Sequence, residues 1–370
     1  MAPLFPISRH PKRIGILTGG GDCPGLNAVI RAVVKSATQK KIQVLGFKDG
    51  FLGLVQNSTC PLPLESVSNI LTLGGTILGA SNKDDPFHML EKNASGKIQS
   101  HDRSPQVLKN LKNHAIEVLV VLGGDGTMTI ANHLHQKGVP IIGIPKTIDN
   151  DLVGTDLTFG HDTAVQVAAE AIDRLHTTAD SHHRIMVIEI MGRYAGWLAL
   201  RSGLASGGDA ILIPEFPYRE SKVSQMIQSR YQQGRKSSLV VVAEGAYPQH
   251  GKHVIDHLNP LSPEKIRLGG IGRLLAKRLE SQTGIEARAV VLGHVVRGGT
   301  PTPQDRILAT LFGVQAVELI SQRQFGVMVT WKNGMLGTIP LSKVGGQTRL
   351  VPKTHALIRC VRRLGVSLGV

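Results

Sequence analysis

Cysteine is scarce in this chain of 370 residues: Cys23, Cys60 and Cys360 stand apart, at no spacing that pairs them or builds a structural zinc site. Such usage suits a reducing compartment. Aromatic residues make up only 4%, so the stacking platforms of single-strand nucleic-acid binders are missing. No zinc-finger or RNA-recognition spacing occurs. No apolar run approaches the about 18 residues of a membrane span. The first residues are broken by Pro3, Pro6 and Pro11 and lack the hydrophobic stretch of a signal peptide. We expect a soluble, cytoplasmic protein. Acidic residues are absent after Glu318, where Arg323, Lys332, Lys343, Arg349, Lys353, Arg359, Arg362 and Arg363 follow. The net charge of +15 therefore asks for anionic partners. Because the basic residues are scattered, a solvated face and phosphorylated small molecules explain them better than nucleic acid does.

What is present is a large core. At 41% hydrophobic the chain can bury two domains. Short β-branched runs recur at Arg13 to Thr18, Gln43 to Phe47, Val118 to Leu122, Pro140 to Ile144, Ile185 to Ile190, Ala210 to Ile213, Leu239 to Ala243 and Ala287 to Leu292. Runs apolar on both faces, separated by helix-length segments, predict parallel strands covered on two sides, hence an α/β doubly wound fold. Asp162 to Thr177 reads as one of the covering helices, with Val165, Ala168, Ala169, Ile172 and Leu175 on its core stripe. Two such halves would join near residue 160.

In doubly wound sheets ligands collect beyond the carboxyl ends of the strands. Those ends are rich here. Thr18-Gly19-Gly20-Gly21-Asp22 follows the first strand and Gly123-Gly124-Asp125-Gly126-Thr127 follows another, each before a helix whose N-terminus favours phosphate. Asp125 adds a hard carboxylate suited to Mg²⁺. Two phosphate cradles point to a nucleotide. Pro145-Lys146-Thr147-Ile148-Asp149-Asn150-Asp151 carries two carboxylates at a third strand end. An isolated Asp-Asn-Asp would be a turn or a cap; between two phosphate loops, Asp149 is a candidate general base for a hydroxyl. Met191-Gly192-Arg193, Glu244-Gly245 and Gly293 to Gly299 complete the set. Arg184, Arg193, Arg288, His294 and Arg297 all fall near predicted strand ends, a concentration that suits an anionic substrate.

Taken together, ILTGGGDCPGLNAVIRA, LGGDGT, PKTIDND, MGRYAGW and VLGHVVRGGTP resemble the phosphofructokinase family in order and spacing, over about residues 13 to 315. LGGDGT alone is also similar to NAD kinases and lipid kinases, which lack the PKTIDND and MGR partners. The resemblance implies phosphoryl transfer to the 1-hydroxyl of fructose 6-phosphate in a cleft between two Rossmann-like domains, usually in a homotetramer. Residues 13–160 with about 296–340 would hold the nucleotide, 161–295 with about 341–370 the sugar phosphate, and 1–12 would be an N-terminal extension. Asp149 matches the proton acceptor, Thr147 lies beside the transferring group and Arg193 matches the residue that stabilises its charge. Asp125 matches the magnesium-linked aspartate. Gly21, Gly124, Gly126 and Thr127 match the nucleotide loops. Met191, Gly192, Glu244, His294 and Arg297 match the sugar-phosphate site, and Arg184 and Arg288 match arginines reaching in from a neighbouring subunit.

Pyrophosphate-using members are similar to this chain at Lys146 but generally carry aspartate where it has Gly126; ATP-dependent members generally have glycine at both positions. The chain is mixed. Gly126 leaves room for the donor's further phosphates, so ATP is the expected donor, with a pyrophosphate-dependent enzyme as the alternative. A basic nucleic-acid-binding protein or a non-catalytic regulatory subunit is the more distant alternative, opposed by the presence of both Asp125 and Asp149. The chain departs from the family at Asn82, where many ATP-dependent members have arginine; Lys83 is then the cation left for that donor contact. Arg31, Arg235 and Lys236 match cationic effector positions of bacterial members, but His176 falls where arginine is common, which leaves allosteric control open.

Overall fold

The computed structural model describes Phe5, Ser8 and residues 11–93, 96–258 and 266–370. The expected α/β architecture is present. A seven-stranded sheet runs in the order Met335–Pro340, Val327–Lys332, Ile141–Pro145, Val118–Gly123, Arg13–Thr18, Gln43–Phe47, Thr59–Pro61. Its centre is parallel and both edges are closed by antiparallel strands. A four-stranded parallel sheet runs Ala287–Val291, Ile185–Ile190, Ser238–Ala243, Ala210–Leu212.

Alternation along a strand explains why both faces had to be apolar. Val118, Val120 and Leu122 join one buried cluster with Val29, Val33 and Phe312, whereas Leu119 and Val121 join another with Leu111 and Leu134. The first face is covered by helices Leu26–Gln39 and Pro303–Ser321, which meet closely enough that a methyl group on Gly313 would lie 2.7 Å from Ala32 Cβ and 2.9 Å from Val29 O. The second is covered by Ser104–Asn113 and Asp125–Gln136. The helix read at Asp162 to Thr177 extends over His161–His182, starting behind Gly160 in the left-handed region. Among the described residues no helix is long and apolar enough to cross a membrane.

The periodicity did not find the hairpin Val327–Lys332 with Met335–Pro340, the short edge strand Thr59–Pro61, or the two-stranded ribbons Met89–Lys92 with Ile98–His101 and Ile255–Leu258 with Ile266–Leu268. All but Val327–Lys332, which lies one strand in from the edge, sit at edges or stand apart from the two main sheets, and the largely exposed ones carry no continuous apolar signal. The last of them matters for the site. At the C-terminal end the chain serves both sheets: Leu341 and Val344 pack into the second cluster of the larger sheet, while Ser367 pairs with Ala210 at the edge of the smaller one.

Candidate active site

The carboxyl ends of both sheets face one cleft of about 890 Å³. Its larger-sheet side is formed by Gly20 to Asp22 and by Thr76, Gly79, Ala80, Asn82 and Lys83; its smaller-sheet side by Met191, Arg193, Glu244, His294 and Arg297. Glu189 and the ribbon residues Asp256, His257, Ile266, Arg267 and Leu268 complete the lining.

The segment after strand Ile141–Pro145 is held at nearly every residue. Lys146 N–H donates to Gly123 O at 3.0 Å, tying it to the second glycine loop. Thr158 Oγ1 donates to Thr147 O at 2.7 Å, and His161 Nδ1 donates to Ile148 O at 2.6 Å. Burial, helped by the Arg201 charge, pulls His161 down to about 3, so it stays neutral in this role. Asn150 adopts φ 52°, a left-handed conformation that asparagine tolerates, and its side chain accepts Thr158 N–H at 3.0 Å. The Asp-Asn-Asp sequence is therefore a turn. Asp149 is 7% exposed, and its charge reaches Lys146, Asp151 and Glu244.

Lys146 is buried, with Nζ hydrogen-bonded to Gly21 O, so its side chain binds the first glycine loop while its backbone binds the second. Burial pulls it down to about 8, with the Arg297 charge assisting and Asp149 opposing. Burial also pushes Asp151 up to about 7, with the Asp149 carboxylate adding to the effect and Arg193 opposing it.

On the smaller-sheet side, Glu244 accepts Arg193 N–H at 2.9 Å and Gly192 N–H at 3.2 Å. Burial and the nearby Asp149 carboxylate nonetheless push it up to about 7. Gly192 has φ 144° and Arg193 φ 50°, a left-handed pair that turns the arginine toward the cleft. Gly245 is required by space: a Cβ there would lie 1.7 Å from Arg193 O.

The glycine loops are separated by Thr127, which is 7% exposed. A methyl group on Gly19 would approach its Cγ2 to 2.8 Å and one on Gly123 to 2.2 Å, so this threonine is the spacer between the two cradles. Gly124 and Gly126 differ from those two. Gly126 has nothing within 4 Å of the place where a Cβ would stand, so its side-chain space is open. Asp125 opens helix Asp125–Gln136, and its Oδ1 accepts Gly346 N–H at 2.6 Å, which orients the carboxylate. Among the described residues no group of three or more His, Cys, Asp or Glu side chains is placed to cage a metal. A single oriented carboxylate beside phosphate space fits a cation such as Mg²⁺, which binds through one or two carboxylates, phosphate oxygens and water.

Arg184 and Arg288 do not join this cleft. Both sit at the amino end of the smaller sheet's strands, opposite Met191 and Arg193, and pair with Glu286, Arg184 Nε at 2.7 Å. Their closeness to strand ends was real, but at the wrong ends for this cleft. Arg31, His176, Arg235 and Lys236 do not line it either.

Two contributors escaped the sequence reading. Glu189 looked like part of an apolar strand; it is 3% exposed, and its carboxylate accepts Gly270 N–H at 2.9 Å and Gly272 N–H at 2.8 Å, clamping the start of helix Ile271–Thr283 to strand Ile185–Ile190, which leads into Met191. Arg349 looked like one more charge of the basic tail. It is turned inward, stacked 4.3 Å from the Trp197 ring, with its backbone N–H on Asp151 O at 2.7 Å and Nη2 on Asn150 O at 2.5 Å. No local signal marks either residue.

The family model described as Phosphofructokinase matches residues 13–320. The "ATP-dependent 6-phosphofructokinase 2" of Clostridium perfringens (strain 13 / Type A) is 49% identical over 360 residues, 97% of this chain and 98% of that one. The "Pyrophosphate--fructose 6-phosphate 1-phosphotransferase" of Amycolatopsis mediterranei (strain S699) is 46% identical over 350 residues, 92% of this chain and 96% of that one. Among solved structures, Pichia pastoris phosphofructokinase in the T-state superposes with a TM-score of 0.76 at 30% identity over 90% of this chain, which spans 35% of that longer one.

Proposed function

The chain belongs to the phosphofructokinase family, and from that premise we propose that it is an ATP-dependent 6-phosphofructokinase, a phosphotransferase that makes fructose 1,6-bisphosphate in glycolysis. Relatives named for either donor lie within a few per cent identity of one another, so overall similarity leaves the donor to local geometry. The observation that carries the choice is the open space at Gly126. A donor longer than pyrophosphate needs that room, and an aspartate there would fill it with like charge. Lys146, the residue shared with pyrophosphate users, is spent on Gly21 O and does not argue against ATP.

Residues 13–160 with about 296–340 form the donor half of this reading, and 161–295 with about 341–370 the acceptor half, although Arg297 lines the smaller-sheet side and Leu341 and Val344 pack on the larger sheet. Fructose 6-phosphate lies against Met191, Gly192, Glu244, His294 and Arg297; the nucleotide lies along Gly21, Asn82, Lys83 and Gly124 to Thr127. Asp149 accepts the proton of the 1-hydroxyl as that oxygen bonds to the γ-phosphorus; the bond to the β-phosphate oxygen breaks and ADP departs. Thr147 and Arg193 face the transferring group, and the guanidinium stabilises its equatorial oxygens. Asp125 would hold Mg²⁺, which supplies further neutralisation of the phosphates when bound.

Arg184 and Arg288 point to a homotetramer, in which each pair completes a neighbour's site; their placement outside this chain's own cleft supports that role. The enzyme works in the cytoplasm. The deciding experiment compares ATP with pyrophosphate as donor to fructose 6-phosphate. We expect turnover with ATP and little with pyrophosphate; the reverse preference would transfer the assignment to the pyrophosphate-dependent enzymes.

A further inference from the structure

Gly21 and Arg297 approach one another from opposite sides of the cleft. Gly21 lies in the loop after strand Arg13–Thr18 of the larger sheet; Arg297 ends the turn Gly293–Arg297 that follows the strand Ala287–Val291 of the smaller one. A Cβ on Gly21 would fall 2.2 Å from Arg297 Nη1, 3.0 Å from Cζ and 3.4 Å from Nη2, so the three nearest atoms all belong to that guanidinium. The backbone does not ask for glycine here. Gly20, its neighbour, has φ 77°, whereas Gly21 is outside the left-handed region. What Gly21 supplies is therefore space, and the space is filled by an arginine.

The arginine is only partly engaged. Its Nη1 donates to Asp22 O at 3.2 Å, and its Nε is buried without a partner. Lys146 holds the preceding carbonyl, Gly21 O, so consecutive carbonyls of the donor loop each carry a cation. We propose that Gly21 is a positioning residue for the acceptor: the gap at its Cα seats the Arg297 guanidinium on the donor loop, aimed at the acceptor's phosphate. This rests on reading the cleft as a site for ATP and fructose 6-phosphate. It makes a residue of the donor loop set affinity for the sugar phosphate and couples the two halves of the cleft. A small residue needed only for the donor's close approach would leave a different trace, confined to ATP.

The test is a double-mutant cycle with Gly21→Ala and Arg297→Lys, read by calorimetric titration with fructose 6-phosphate and by steady-state kinetics. Gly21→Ala should weaken fructose 6-phosphate by about tenfold or more, the scale of one charge-assisted hydrogen bond, and raise the KM for ATP less than about threefold. On the Arg297→Lys background, where the slimmer amine vacates the space, the added loss should be under about twofold. Independent, multiplying losses, or a loss confined to ATP, would overturn the proposal. If Gly21→Ala melts early, restoration by Arg297→Lys supports the same contact, and failure to restore refutes it. A wild-type chain that transfers nothing from ATP to fructose 6-phosphate would instead overturn the reading of the cleft, and this inference with it.

Discussion

The two rims of the cleft are built from different materials. In the proposed reading, recognition on the larger-sheet side is left to the space that glycines keep clear, at Gly21 and Gly126, with Thr127 holding the two loops apart. On the smaller-sheet side it is left to side chains, and the backbone is strained to aim them, as at Gly192 and Arg193. A polyphosphate chain can be cradled by any well-spaced set of amides, so the first rim needs emptiness above all. A sugar phosphate must be told from other sugars, so the second needs charged groups at fixed angles. Emptiness is broken by adding atoms and aim by removing them.

Between the rims stands Asp149, and removing its charge should have the largest effect. Asp149→Asn should lower kcat by about 10² to 10⁴ with a smaller change in either KM, since proton acceptance is lost while both rims survive; near-normal single-turnover rates would take the base away from Asp149. Adding a carboxylate to the empty rim should come next. Gly126→Asp should lower kcat/KM for ATP by about a hundredfold, the scale of an uncompensated like-charge contact. Its melting temperature should hardly move, because a Cβ at that position has open space around it; unchanged ATP kinetics would refute the argument from space.

The smallest effect tests the aimed rim. Glu244 is pushed up to about 7, so below that pH it is protonated and its hold on Gly192 and Arg193 N–H weakens. For the free enzyme kcat/KM toward fructose 6-phosphate should fall as pH drops through about 7. Glu244→Gln should lower the high-pH plateau by about fivefold, the difference between a charged and a neutral acceptor, and remove the inflection. An inflection that persists in this variant belongs to Asp151, which burial and Asp149 also place at about 7.

Much of this was legible in the chain because the same physics writes both sequence and structure. Central strands such as Val118–Gly123, buried along their whole length, have no polar position to blur them. Edge strands such as Met335–Pro340, largely half-exposed, leave a mixed pattern that periodicity does not separate from a loop. The glycine loops and Asp149 could be found by order along the sequence, since strand ends bring them together by rule. Glu189 and Arg349 could not. Each acts through a partner far away, the first on Gly270 and the second on Asn150, and neither pairing has a local spacing to betray it. Arg184 and Arg288 show a different limit: proximity to a strand terminus does not say which terminus it is, and both lie at the end away from this chain's own cleft.

The Arg349 contact also bears on how the enzyme comes into being. Its guanidinium grips Asn150 across 199 residues of sequence, one of the longest closures the chain must make, and such closures form late. The strands that precede Asp149 can pair early, yet the turn that carries Asp149 is not pinned until Arg349 has folded back onto Asn150. A folding chain would thus acquire its strands before the geometry of this turn.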